Sequence, residues 1–244
     1  MTTRDRSGLS RWIFGLLIVI ILIAAYFAYP WVRTRVGRMR RLSEWMNNPL
    51  IHTDWTIPAG DRCGEAPFIL PTSGYVGFIW GDSFRPGHQH QGIDVFGGST
   101  PGKTPVLAAY PGYLTRLPDW KSTVIMRVPS DPLKPGRQIW TYYTHLADEN
   151  GSSYISPEYP PGTSEVFVEE GTFLGYQGDF SGDPNNPVGV HLHFSIVKDD
   201  GQGSFRNELE IDNTLDPSPY LGISLDASQN QDVVVTCIAQ SDDQ

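Results

Sequence analysis

"VGVHLHFSIV", residues 188–197, is the stretch on which the fold turns. Val190, Leu192, Phe194 and Ile196 alternate with the polar His191, His193 and Ser195. A period of two residues puts the first set on one face of a β-strand and the second on the other. The apolar face asks for a core behind it. The polar face presents two imidazoles, ~7 Å apart at Cα.

Short runs of the same kind recur on the N-terminal side. They are "YVGFIWG" (75–81), "PVLAAY" (105–110), "GYLTRL" (112–117), "STVIMRV" (122–128), "QIWTYYTHL" (138–146), "EVFVEEG" (165–171) and "TFLGYQG" (172–178). Breakers such as "PTSG", "GGSTPGKTP", "SDPLKPG", "YPPGTS" and "GDFSGDPNNPVG" separate them. No segment in this part holds a 3.6-residue period over three turns. The pattern predicts one all-β domain, a sandwich or open barrel, over residues 61–222. The tail, 223–244, offers a single short strand, "VVVTCI", before a polar end expected to fray.

The N-terminus reads differently. "WIFGLLIVIILIAAYFAYPWV", residues 12–32, has no charge and as a helix spans ~30 Å of hydrocarbon. Trp12, Tyr26, Tyr29 and Trp31 stand toward its ends, as interface anchors do. A cleaved signal peptide is the alternative. The apolar run is longer than the roughly 7–15 residues of a signal core, and no small-x-small cleavage site follows. The chain then divides into a short cytoplasmic N-terminus (1–11), a transmembrane helix (12–32), a basic juxtamembrane linker (33–60), the β domain and the tail. The basic run "RTRVGRMRRLSEWM" (33–46) is either a solvated linker or a segment lying on an anionic membrane surface.

Eight of the 18 basic residues and only two of the 27 acidic ones lie before residue 46, which leaves 10 basic against 25 acidic in the rest. A domain so acidic would be repelled by phosphates, so nucleic acid is excluded as a partner. Arg4, Arg6 and Arg11 precede the apolar run, and Arg33, Arg35, Arg38, Arg40 and Arg41 follow it. The positive-inside rule would then put the β domain in the cytoplasm. Cys63 and Cys237 flank that domain. They pair outside the cytoplasm or stay as two thiols inside it.

Six histidines occur: His52, His88, His90, His145, His191 and His193. In "HQHQGID" (88–94), His90 and Asp94 are ~13 Å apart on a straight strand. They converge only if the backbone curves, which Gly92 permits. With His193 they would give two nitrogens and a carboxylate oxygen, a catalytic zinc set with one position open. The bland alternative is a group of ordinary hydrogen-bonded strand histidines.

Taken in order, "HQGID", "TPVLAAYPGYL", "YYTHL", "VEEGTFLGYQG" and "HLHF" resemble the lysostaphin-type zinc endopeptidases, the LytM-like peptidoglycan hydrolases, over about residues 75–200. The resemblance implies a small antiparallel β domain with a groove. It implies zinc held by His90, Asp94 and His193, and two non-ligand histidines, His145 and His191, in catalysis. His88 has no counterpart. The long loop "ADENGSSYISPEYPPGTS" and the turn "GDFSGDPNNPVG" depart from the family pattern and bear on groove shape.

No His-Glu-x-x-His arrangement supplies a carboxylate base, so a histidine has to carry the proton to the leaving amine. His191, locked to the ligand strand, suits that task, and His145 would orient water or the oxyanion. The expected activity is that of a membrane-anchored zinc metalloendopeptidase acting on peptide cross-links of peptidoglycan, with the domain extracytoplasmic. That location runs against the arginine distribution. The alternative is a non-catalytic wall-binding or regulatory module on the same fold. A sugar-binding β-barrel has only the 12% aromatic content in its favour. The sequence leaves the oligomeric state open.

Overall fold

The computed structural model describes residues 6–82, 88–223 and 234–237. The extreme N-terminus and most of the tail past Ile223 lie outside the described residues, so the expected cytoplasmic stub and frayed end are only partly covered.

Helix α1 spans Arg6–Asn47. Its apolar part, Trp12–Tyr29, is long and apolar enough to cross a membrane, and the rest of the protein buries none of it. The helix continues without a break into the stretch expected to be a linker, as far as Asn47. Leu42, Trp45 and Met46, spaced i, i+3 and i+4, face the domain and pack with Trp55, Tyr75, Phe78 and Phe96. Trp45 stacks on Tyr75 with ring centroids 6.0 Å apart. The Arg41 guanidinium lies over Trp55. Pro49, just beyond the last turn, marks where the helix cannot continue.

Eleven strands follow among the described residues. They are β1 (Thr56–Ile57), β2 (Gly74–Phe78), β3 (Ile93–Phe96), β4 (Pro105–Leu107), β5 (Gly112–Thr115), β6 (Val124–Val128), β7 (Ile139–Thr144), β8 (Val166–Val168), β9 (Phe173–Tyr176), β10 (Leu192–Lys198) and β11 (Thr214–Leu215). A one-turn helix, α2 (Ser218–Leu221), closes the domain. The large sheet is antiparallel, in the order β1-β2-β3-β10-β7-β6-β5-β8, with β11 paired to β10. β4 and β9 form a separate two-stranded ribbon. The all-β expectation matches this architecture.

β10, the strand of the opening motif, lies between β3 and β7. Its Leu192, Phe194 and Ile196 enter the main core with Val106, Leu114, Tyr143 and Leu174. Its other face is buried too. Val197 packs with Ile125 and Trp140, Ser195 is fully buried beside it, and His193 lines the groove. Polar residues on that face therefore mark a site rather than a solvated surface.

Cys63 and Cys237 form a disulfide with Cα atoms 5.0 Å apart. It fastens the segment around the buried Val235 against Ile223 and the end of the core. This is the paired one of the two states that the sequence left open.

Candidate metal centre

The "HQGID" segment bends at Gly92, the curvature that brings His90 and Asp94 together. Gly92 also allows a close approach: a Cβ there would stand 2.2 Å from the Phe194 carbonyl oxygen, so the segment lies close against β10. Asp94 falls directly opposite His193 in the β3–β10 register. His90, just before β3, folds back so that its backbone N–H donates to the Asp82 carbonyl.

These placements bring three ligand-type atoms together. His90 Nε2 is 3.0 Å from Asp94 Oδ1 and 3.0 Å from His193 Nδ1, and His193 Nδ1 is 2.8 Å from Asp94 Oδ1. All three residues are buried. Partners on the far edges of the rings decide the tautomers. His90 Nδ1–H donates to the Ile79 carbonyl at 3.1 Å. His193 Nε2–H donates to Glu208 Oε1 at 2.9 Å. Each ring thus turns its other nitrogen, His90 Nε2 and His193 Nδ1, toward Asp94. Tetrahedral zinc, about 2.0–2.1 Å from N and O donors, needs them about 3.3 Å apart. The triangle is a few tenths of an ångström tighter, and its donor set suits zinc.

The electrostatics express this crowding. Burial would raise the Asp94 carboxyl, but His90, His191 and His193 hold it well below its usual range. Burial would lower His193, but Glu208 and Asp94 outweigh it and push the imidazole up to about 10. Without a metal, a proton takes the place of the cation between the two carboxylates.

Two more imidazoles stand beside this cluster. His191 Nδ1–H donates to the Gly189 carbonyl, and its Nε2 is 3.6 Å from Asp94 Oδ1. His145, just past β7, donates from Nδ1 to the Phe180 carbonyl at 2.7 Å. Their ring centroids are 4.5 Å apart. His145 has φ +70°, a left-handed conformation seldom adopted outside glycine and asparagine. Close packing holds it there. A Cβ on Gly178 would stand 1.9 Å from the Ala147 carbonyl oxygen, so the backbone at Gly178, just past β9, presses on residues 145–147. Burial and the neighbouring His191 drive His145 down to about 3. Burial also lowers His191. Both are neutral near pH 7, with Nε2 free to accept a proton.

The five residues share a cavity of about 670 Å³. Met39 and Leu42 of α1, with Phe78 and Phe96, give it an apolar wall, and Glu208 and Leu209 border it as well. His88 also lines it, but belongs to neither the ligand triangle nor the His145–His191 pair.

No family model matches the chain, and no curated protein sequence does. Solved structures similar to it include Helicobacter pylori Csd3, at 16% identity over 63% of this chain and 34% of that one, TM-score 0.38. Another is a mutant catalytic domain of the prophage-encoded M23 protein EnpA from Enterococcus faecalis, at 20% identity over 60% of this chain and 93% of that one, TM-score 0.36. A third is a zinc-containing peptidase from Vibrio cholerae, at 17% identity over 61% of this chain and 38% of that one, TM-score 0.33. The chain spans about a third of the length of Csd3. It resembles the LytM-type, or M23, peptidase domains.

Sequence reasoning missed two parts of this site. Glu208 comes from the loop after β10, 15 residues from its partner His193. The sequence offers three acidic residues there, Glu208, Glu210 and Asp212, and nothing local tells which one turns inward. The wall from α1 could have been suspected from the spacing of Leu42, Trp45 and Met46, which a basic-linker reading ignores.

Proposed function

We propose that this chain is a zinc metalloendopeptidase, held at the cell membrane by α1, that hydrolyses peptide bonds in peptidoglycan cross-links. One observation carries the reading: three lone-pair donors converge within 4.8 Å in a groove where two further neutral imidazoles also face the cavity. His90, Asp94 and His193 would hold zinc, which when bound supplies a Lewis acid for the scissile carbonyl and acidifies water.

The chain's own residues divide the rest of the work. His191 is fixed by the Gly189 carbonyl at the start of the ligand strand. It accepts a proton at Nε2 and hands it to the leaving amine. His145, tied to Phe180, accepts a hydrogen bond at Nε2 and so orients water. Phe96, part of the apolar wall, stacks on His191 with ring centroids 4.9 Å apart.

A peptidoglycan substrate requires the domain to lie outside the cytoplasm, against the arginine distribution. The Cys63–Cys237 bridge favours that side, because disulfides persist in oxidising compartments. The test is digestion of purified sacculi by the full-length protein in detergent, with fragments identified by mass. New peptide termini that vanish in His193→Ala are expected. A zinc-loaded protein that leaves sacculi intact would be a binding module instead. Protease added to intact spheroplasts should shave the domain; protection until lysis would sink the extracytoplasmic placement.

A further inference from the structure

The loop after β10, residues 199–213, has no part in the reaction just proposed, yet one of its side chains enters the site. Asn207, Leu209 and Glu210 are exposed. Glu208, among them, turns inward, and its side chain keeps 11% of its exposure. Its Oε1 accepts a hydrogen bond from His193 Nε2 at 2.9 Å. That nitrogen lies across the ring from Nδ1, which faces His90 and Asp94. Glu208 therefore cannot ligate the same ion as His193 Nδ1.

The loop is tied to the other ligand segment as well. Gln91, next to His90, donates from its side-chain amide to the Leu209 carbonyl at 2.8 Å. The Asn207 side chain accepts from the Leu209 N–H, and Asn213 donates to the Asn207 carbonyl. Residues 208 and 209 thus touch both halves of the ligand set. Two chemical consequences follow. A neutral imidazole can carry its proton on either nitrogen, and a carboxylate at Nε2 keeps it there, leaving the lone pair on Nδ1. The second negative charge, with Asp94, also matches a buried divalent cation.

We infer that Glu208 is a positioning residue of the metal centre, fixing the tautomer and orientation of His193 and balancing the charge of the ion. The inference rests on the zinc reading proposed above. Its test is zinc affinity of the full-length protein in detergent, measured by competition with a chromophoric chelator. Glu208→Ala and Glu208→Gln should bind zinc about 10–100-fold more weakly, and Glu208→Asp should fall between them and the wild type. A strongly hydrogen-bonded His193 Nε2–H should give a downfield proton resonance that disappears in Glu208→Ala, a change that loss of a merely structural loop contact would not produce. Should Glu208→Ala fail to fold, the isosteric Glu208→Gln carries the comparison. Wild-type affinity in both variants, beside lost binding in His193→Ala, would overturn the role of Glu208 and leave the metal centre standing. A wild-type protein that binds no zinc would instead remove the metal centre itself, and the role with it.

Discussion

Asp94 and His193 face each other across β3 and β10, with Asp94 Oδ1 2.8 Å from His193 Nδ1. A cross-strand pair of this kind is set by sheet register, so either residue can be removed without disturbing the other's backbone. Asp94→Ala and His193→Ala should lose zinc and hydrolytic activity together. Metal analysis beside a sacculus assay decides this. A variant that keeps about one zinc per chain would exclude its residue from the ligand set.

The two neighbouring imidazoles should behave in the opposite way. His191→Ala and His145→Asn should retain zinc while turnover falls by roughly 10²–10⁴-fold, the range for a general acid–base group. Asn is chosen at 145 because it tolerates the left-handed backbone there. Zinc lost from His191→Ala but kept in His193→Ala would reverse the roles.

The metal-free protein should show an acid-side loss of stability traceable to His145. Its folded-state value is driven down to about 3 by burial and by His191, against about 6.5 in an unfolded chain. Above pH 6.5 neither state binds this proton, so no stability is at stake. As pH falls from about 6.5 toward 3, only the unfolded state takes the proton, and stability declines. At pH 5 the cost is about 1–2 kcal/mol. Urea titrations at pH 7 and pH 5, with chelator present, should show a smaller pH effect in His145→Asn than in the wild type. Equal pH effects would assign the acid limb to other groups.

The Cys63–Cys237 bridge closes a loop with a sequence separation of 174. In the chain-entropy model such a loop is worth roughly 5 kcal/mol. The Cys63→Ser/Cys237→Ser variant should melt roughly 10–20 °C lower. Thiol titration of the denatured, unreduced wild type should find no free thiols, and two would rule the bridge out.

Trp45 anchors α1 to the sheet and is 3% exposed. Trp45→Ala should destabilise the domain by about 3–5 kcal/mol. Because Leu42, on the same helix face, lines the groove, substrate KM should rise as well. An unchanged KM would show that the α1 wall plays no part in substrate binding.

The sequence by itself determined most of the strands, but not β1, β3 and β11, and the expected strand "VVVTCI" makes only a single bridge, at Cys237, among its described residues. The two-residue alternation at 190–196 encodes a strand with one face in the core, and turn residues bracket the other runs, because side-chain direction in a strand depends only on parity. The uncharged stretch 12–32 was equally plain. The candidate donors were also legible, since few residue types can ligate a metal and His90, Asp94 and His193 lie in short motifs; the structure brings these three together. Tertiary structure alone decided the rest. It set Asp94 against His193, because strand register depends on the partner strand rather than on local sequence. It carried the helix through the basic run, because Trp45 and Leu42 found an aromatic surface on β2 and β3. It brought Glu208 to His193 and held His145 at φ +70°. These features depend on contacts between residues far apart in the chain, and neither composition nor periodicity records which distant partners will meet.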